Sequence, residues 1–560
     1  MRTKEEIAAE YARWLEKAAD PALSARLKEL DEAGIEDAFY QDLAFGTAGL
    51  RGVMDAGSNR MNRYTVAKAS QGLANYLKER YAAPSVAVAY DSRRRSESFA
   101  RTACGVFAAN GVRVQLYPEL MPTPCLSWAV RVLGCSAGVM VTASHNPAQY
   151  NGYKVYGPDG CQITTEAAEA ILEEIEKLDL FRDVAEMPFG DALARGLVSL
   201  IPQETEDAYI ARVLDQSVLF GDEADRNVAI VYTPLNGTGR KPVLRALRES
   251  GFRNIAVVRE QEEPDGDFPT CPYPNPENRE AMELGLEYCS RLGADLLLAT
   301  DPDCDRCGAA VRDGEGYRLL TGNEVGILLL DYICRQRREH GKMPKDPVFV
   351  KTVVTTDLAE KIAARCGVRT VNVLTGFKFI GEVVGGLEAR GAEESYILGF
   401  EESCGYLTGP YVRDKDGVDA VLMICEMYAR YRALGITLPE RLEEIYREYG
   451  FCLSTVYSFA FPGSAGMTEM GERMAAFRRK PPAAWGGEPV TKALDYAGGL
   501  DGLPSADVIK FFTDSSSVVI RPSGTEPKLK AYVSVTAGDR ETARELEQRI
   551  AAEVKELIRS

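Results

Sequence analysis

The sequence predicts an α/β protein of several domains, three of them related and the last one different. Three observations carry that prediction. The chain has 560 residues, more than a single hydrophobic core accommodates, so three to four domains of roughly 100–200 residues are expected. One pattern recurs three times along the chain. After about Gly450 the pattern stops and a different one begins.

The repeated pattern is SVAVAYDSRRRSESFARTACGVFAANG (85–111), NVAIVYTPLNGTGRKPVLRALRESG (227–251) and VFVKTVVTTDLAEKIAARCG (348–367). An apolar, β-branched strand enters a short polar turn, and an amphipathic helix follows, ended by glycine. A second strand comes after each: VRVQLY, IAVVR and VRTVNV. Each copy then supplies a further apolar run with a polar tip: GVMVTASHNP (138–147), DLLLATDPDCDR (295–306) and YILGFEESCGY (396–406). Polar groups at the C-terminal ends of buried strands are where an open α/β sheet offers a ligand its site. The last segment, with TVYSFAF, DSSSVVIRPSGTEPKLKAYVSV and a helix from near Asp539, predicts a smaller α+β domain with mostly antiparallel strands. Domains are therefore expected at 1–203, 204–323, 324–450 and 451–560. The Pro-rich stretch 261–278 reads as a long surface loop, and 462–466 as a loop of the last domain.

Composition narrows the partners. A net charge of −17 disfavours nucleic acid and anionic membranes. No apolar run approaches the ~18 residues of a membrane span. Thirteen cysteines, an odd number spread along the chain, predict free thiols in a reducing cytoplasm. The pair Cys304 and Cys307 has no second pair to complete a zinc site.

Asp301, Asp303 and Asp305 repel one another unless solvated or neutralised by a cation, and an all-oxygen cluster suits Mg²⁺, Mn²⁺ or Ca²⁺. Arg306 and Arg312 stand where an EF-hand needs Gly and Glu; the alternative is a solvated acidic turn. Ser144 needs activation by a base, a metal or a phosphate it already carries. His145 is one of only two histidines, although adjacent residues rarely form a Ser-His dyad; a simple polar turn ended by Pro147 is the competing reading. Lys154, delivered by the turn NGYK, is a candidate base. FGTAGLRG (45–52) and RPSGT (521–525) combine backbone N–H groups, hydroxyls and an arginine in the way a phosphate requires. Neither is a Walker A or a dinucleotide fingerprint. Of Arg93, Arg94 and Arg95, Arg93 is expected to point inward.

With TASHNP, TDPDCDR, GFEESCGY and RPSGTEP in this order, the whole chain resembles the α-D-phosphohexomutases, and FGTAGLRG with FEES-x-GY resembles the phosphoglucomutase branch. The resemblance implies three related α/β domains with mixed sheets plus a smaller α+β domain around a central cleft. It implies a mutase interconverting glucose 1-phosphate and glucose 6-phosphate. Phosphopentomutase, phosphomannomutase, glucose 1,6-bisphosphate synthase and a phosphoserine-type phosphatase are the rivals. Ser144 would carry the phosphoryl group. Asp301, Asp303 and Asp305 would bind Mg²⁺ together with an oxygen on Ser144, while Lys154 and His145 would move protons. Arg51 would lie near the phosphoserine and Arg306 near the phosphoryl or the substrate. Thr375, Gly376, Glu401 and Ser403 would bind the sugar, and Lys415 would sit near the transferring phosphate. Arg521, Ser523, Gly524 and Thr525 would grip the second phosphate. Glucose 1,6-bisphosphate would be intermediate and activator, in a monomer or weak homodimer. Two positions depart from the family: Asn236 and Tyr406 stand where relatives often have histidine, which shifts the acid/base role toward Lys154 and His145.

Overall fold

The structure, a computed structural model, describes residues 1–46, 49–461, 463–523 and 528–559, with backbone only at 463–465. Strands Ser85–Tyr90, Ile230–Thr233 and Val348–Thr352 each sit inside a sheet. On one side each pairs in parallel with the strand after its helix: Arg113–Leu116, Ile255–Val257 and Arg369–Val373. On the other side each pairs in parallel with the strand bearing a polar tip: Ala137–Val141, Leu296–Thr300 and Tyr396–Glu401. The chain then turns back antiparallel as Tyr150–Tyr156, Cys307–Asp313 or Gly405–Leu407. The three copies thus share one strand order, and all three sheets are mixed.

This order explains the sequence. A strand covered on both faces reads as a continuous apolar run, and Ala137–Val141 and Leu296–Thr300 are buried throughout. The first sheet is widened to seven strands by Phe45–Gly46, Gly49–Val53 and Val198–Leu200. Strand Gly316–Leu320 extends the second to five. The fourth sheet, in the order Phe451–Ala460, Lys528–Ala537, Ser516–Pro522, Ile509–Phe512, Lys492–Asp495, is antiparallel throughout. Helix Arg540–Arg559 packs across it.

One apolar core runs from the first sheet to the last helix, from Ala87 to Ile558. Helix Gly417–Ala433, almost wholly buried, ties the second and third units together by packing on helices Arg240–Glu249 and Gly322–Glu339. No helix among the described residues is long and apolar enough to cross a membrane.

Three local readings change. Residues 151–154, expected as a turn, lie within strand Tyr150–Tyr156, so Lys154 is delivered by a strand. The stretch 261–278 is not merely a surface loop: Phe268 and Cys271 are buried, and Gly266 bridges to Arg93. Residues 462–466 belong largely to the start of helix Gly463–Arg479, so the glycines there open a helix.

Candidate functional site

The serine loop is built on a buried polar scaffold. Strand Ala137–Val141 ends at Thr142, whose hydroxyl donates to Asp91 Oδ2 at 2.6 Å and accepts from the Ser144 amide at 2.8 Å. Ser144 has φ 51°, in the left-handed region, where non-glycine residues are uncommon. That turn brings Ser144 Oγ within 3.2 Å of His145 Nδ1, a dyad between neighbours that an ordinary turn would not allow. Arg93, 3 % exposed, donates to the carbonyls of Pro147 at 2.9 Å and Tyr150 at 3.1 Å, and also to those of Ser144 and Asn146. Asp91 lies 3.4 Å from its Nε, and Phe268 stacks on the guanidinium at 4.9 Å. Four carbonyls fixed by one planar fork hold the turn in its strained form. Burial, reinforced by Arg306 and Arg51, keeps His145 neutral by pulling its pKa well below the usual range.

The metal-type cluster faces this serine. Asp301, Asp303 and Asp305 are buried, and one oxygen from each lies within 4.8 Å of the others. Ser144 Oγ donates to Asp301 Oδ2 at 2.8 Å. Asp301 Oδ1 accepts the amides of Asp305 at 3.1 Å and Arg306 at 3.0 Å, so the loop curls around its own first carboxylate. Thr123 clamps Asp303 from the first unit, its amide to the carbonyl at 2.9 Å and its hydroxyl to Oδ2 at 3.0 Å. Lys154 reaches Asp303 at 2.9 Å and Asp305 at 3.5 Å, and Lys415 reaches Asp305 at 3.0 Å. Among the described residues Asp303 Oδ1 and Asp305 Oδ1 are buried without a hydrogen-bond partner. Burial, and then the other two aspartates, push Asp301 well above the ordinary carboxylate range, against the pull of Arg306. Oxygen-only donors, two of them without hydrogen bonds, crowded together in a buried site, fit a hard divalent cation.

Burial opposes the charge on Lys154, yet Asp303 and Asp305 more than compensate and raise its pKa. Lys415 behaves likewise, with Asp305 and Asp414 outweighing burial. Gly405 makes room for Lys415, since a Cβ there would lie 2.2 Å from Lys415 Cδ. Asp414 is itself fixed by Tyr156, whose hydroxyl donates at 2.8 Å. Arg306 pairs with Glu277 and sits 4.0 Å from Asp305.

The third loop is centred on Glu401, whose Oε1 accepts the Gly376 amide at 3.0 Å. Burial raises the Glu401 pKa, and Lys415 and Arg306 oppose that rise. Gly376 adopts φ 121°, which an L side chain rarely takes. The adjacent Thr375 Oγ1 is buried with no partner among the described residues. Tyr406 is a packing residue: it is buried, and its hydroxyl donates to the Gly322 carbonyl at 3.3 Å. Asn236 donates to the Glu263 carbonyl at 2.8 Å and shapes a turn.

The two phosphate-type segments are partly visible. Arg51 Nη1 donates to Asn146 Oδ1 at 3.0 Å, which places FGTAGLRG against the serine loop; Thr47 and Ala48 lie outside the described residues. Arg521 Nη1 donates to Tyr532 Oη at 3.2 Å, and the Ser523 amide donates to the Lys528 carbonyl at 2.7 Å. Gly524 and Thr525 are outside the described residues. A cavity of about 190 Å³ separates the third and fourth units, lined by Glu402, Thr355, Lys510, Ser517 and Tyr532. Across it Lys510 and Ser517 reach Asp357 at 2.7 and 2.8 Å.

Sequence reasoning missed Asp91, Thr142, Thr123, Asp414, Glu277 and Glu402. Asp91 was findable, because it follows the first strand of the first repeat directly. Glu402 has a measurable signature. Burial and the neighbouring Glu401 raise its pKa to about 7 from 4.5. The folded state thus holds this proton more tightly than the unfolded chain, so the stability it confers is complete below 4.5 and lost as pH rises through 7. Glu402→Gln is expected to match the parent near pH 4 and to exceed it near pH 8 by about 1–3 kcal/mol. Apparent melting midpoints at the two pH values check this, and equal differences at both would contradict it.

Three related α/β units that bring a serine, a carboxylate cluster and a glutamate loop together, beside an antiparallel fourth domain, define a four-domain α/β protein with a composite site. The chain belongs to the phosphoglucomutase/phosphomannomutase family: residues 42–182, 207–314 and 321–449 match its alpha/beta/alpha domains I, II and III, and 469–553 its C-terminal domain. It is similar to a phosphoglucomutase of Staphylococcus epidermidis, 36% identical over 532 residues, covering 90% of this chain and 95% of the relative. A phosphoglucomutase of Staphylococcus aureus is 34% identical over 534 residues, with 93% and 95% covered. Among solved structures, a putative phosphomannomutase from Thermus thermophilus superposes with a TM-score of 0.69 at 24% identity, covering 92% of this chain and 99% of that one.

Proposed function

We propose that the chain is a phosphosugar mutase that interconverts glucose 1-phosphate and glucose 6-phosphate through a phosphorylated Ser144. The observation that carries this reading is the 2.8 Å contact of Ser144 Oγ with Asp301, which puts an otherwise unactivated hydroxyl at the edge of a buried carboxylate cluster. Phosphoryl transfer is mostly positioning and charge neutralisation, and the side chains gathered here do both. The named activity of the Staphylococcus relatives supports glucose as the sugar.

In the first half-reaction O6 of glucose 1-phosphate attacks the phosphorus on Ser144. The new P–O6 bond forms as the P–Oγ bond breaks, the O6 proton passes to solvent, and Ser144 Oγ gains one in return. His145, neutral and 3.2 Å from that oxygen, is placed to relay the proton to and from Oγ. Lys154, held charged by Asp303 and Asp305, neutralises the transferring group by hydrogen bonding and keeps its proton. Asp301, Asp303 and Asp305 would hold Mg²⁺ with an oxygen of the phosphoserine, and the bound ion would neutralise the phosphoryl oxygens. Arg51, Arg306 and Lys415 would add positive charge around the same group. Glu401, Ser403, Thr375 and Gly376 would take the sugar hydroxyls. Arg521, Ser523, Gly524 and Thr525 would grip the phosphate that is not reacting. Glucose 1,6-bisphosphate then turns around and returns its other phosphate to Ser144, and it also primes an unphosphorylated enzyme. Thirteen free thiols, twelve of them buried, suit a reducing cytoplasm as its setting.

The test is a panel of the 1-phosphates of glucose, mannose, ribose and deoxyribose with purified enzyme, Mg²⁺ and a trace of glucose 1,6-bisphosphate. Glucose 1-phosphate is expected to give the highest kcat/KM. A pentose or mannose preference would replace the substrate, and release of inorganic phosphate faster than isomerised sugar would overturn the mutase reading.

A further inference from the structure

The thirteen cysteines are not alike. Twelve are buried, and Cys366 alone is partly exposed. It caps helix Leu358–Arg365, its amide bonded to the Ile362 carbonyl at 3.1 Å and the Ala363 carbonyl at 3.0 Å. Beside it runs helix Gly322–Glu339, which packs on that helix and buries Cys334 completely. Cys366 packs against the same apolar cluster that contains Cys334, on the neighbouring helix, and each thiol is the main influence on the other's ionisation. Arg338, one helical turn beyond Cys334, also faces the Cys366 sulfur, while Asp331 and Tyr449 are the nearby groups of opposite tendency.

We propose that Cys366 and Cys334 are a peroxide-sensitive thiol pair that closes to a disulfide between these two helices. An exposed thiol beside a second, buried thiol is the arrangement of an attacking and a resolving cysteine. The electrostatics agree. The neighbouring Cys334 thiol draws the Cys366 pKa down to about 7, against the burial that opposes it, and Arg338 helps. Burial instead holds deeply placed thiols such as Cys104 and Cys425 well above the ordinary thiol range. The reactive species is the thiolate, so selectivity follows ionisation and access together.

The chemistry balances with hydrogen peroxide as oxidant. The Cys366 thiolate attacks one peroxide oxygen, forming S–O as O–O breaks, and the departing hydroxide takes a proton to leave as water. Cys334 then gives up its proton and attacks the Cys366 sulfur. S–S forms, S–O breaks, and the second oxygen leaves as water. Two thiols lose two electrons in total, and one peroxide is reduced to two waters.

The experiment treats the full-length protein with equimolar hydrogen peroxide, blocks the remaining thiols with iodoacetamide, and maps non-reduced peptides by mass spectrometry. Before oxidation, Cys366 is expected to alkylate roughly tenfold faster than any other cysteine. After oxidation, a peptide linking 334 to 366 is expected, reversed by dithiothreitol. In Cys334→Ala the resolving thiol is gone, and a dimedone-reactive sulfenic acid should persist at Cys366. Cys366→Ala should remove both signals. A linkage through another cysteine, a sulfenic acid at Cys366 that persists while Cys334 is present, or a Cys366 no more reactive than buried thiols would overturn the proposal. The wild-type measurement decides even if either variant fails to fold.

Discussion

Ser144→Ala is expected to lower mutase turnover by at least about 10⁴-fold while leaving the fold in place. The size follows from chemistry: a phosphoserine cycle has no second carrier when the hydroxyl is missing, and His145 cannot pass a proton to an oxygen that is absent. The fold is preserved because the turn does not depend on that oxygen. Its amide is held by Thr142, its carbonyl by Arg93, and neighbouring carbonyls by the same guanidinium. Alanine tolerates the left-handed φ about as well as serine does. Two contacts of Oγ are lost, to His145 and to Asp301; the second leaves a buried carboxylate oxygen short of a partner and costs about 1–3 kcal/mol. A coupled assay from glucose 1-phosphate and labelling with phosphate-labelled bisphosphate check the two halves. Turnover above about one per cent of the parent, or label retained on the variant, would remove Ser144 from the proposed cycle.

This result also separates what sequence makes legible from what it hides. The three strand ends were readable because burial on both faces forces an uninterrupted apolar run, and the polar tip then stands out against it. The threefold echo of strand, helix and strand was readable for the same reason, although the strand order within each sheet was not. The closeness of Ser144 and His145 was not, because it depends on one residue in a left-handed conformation enforced by Arg93, 51 positions upstream in the chain. Nothing local to TASHNP signals that. The charge on Lys154 was hidden for a similar reason: a lysine that looks like a base in isolation becomes a firmly charged cation once Asp303 and Asp305 of another unit face it. The stretch 261–278 misled because proline and polar residues suggest exposure, while Phe268 docks on Arg93 and Glu277 holds Arg306. Long-range partners of this kind are set by domain packing, and domain packing leaves little periodicity to read.

Removal of divalent cations is expected to reduce turnover by about 10³-fold or more, with Mg²⁺ restoring it. The carboxylate cluster gives the reason. Burial and the mutual repulsion of three aspartates raise the Asp301 pKa, and two buried carboxylate oxygens lack hydrogen-bond partners. A cation that neutralises this cluster should also stabilise the fold, independently of any reaction. At free Mg²⁺ about 100-fold above its Kd the gain is about 2.7 kcal/mol, visible as a rise in the melting midpoint. Asp303→Asn keeps the side-chain shape and the contact from Thr123 but removes one carboxylate charge and the buried ion pair with Lys154. The variant should therefore start from a lower midpoint in chelator and lose most of the Mg²⁺-dependent rise. A full Mg²⁺ response in Asp303→Asn would place the ion elsewhere. A parent that shows no response, yet needs Mg²⁺ for turnover, would mean that the ion arrives with the sugar phosphate and that the aspartates act only on the lysines.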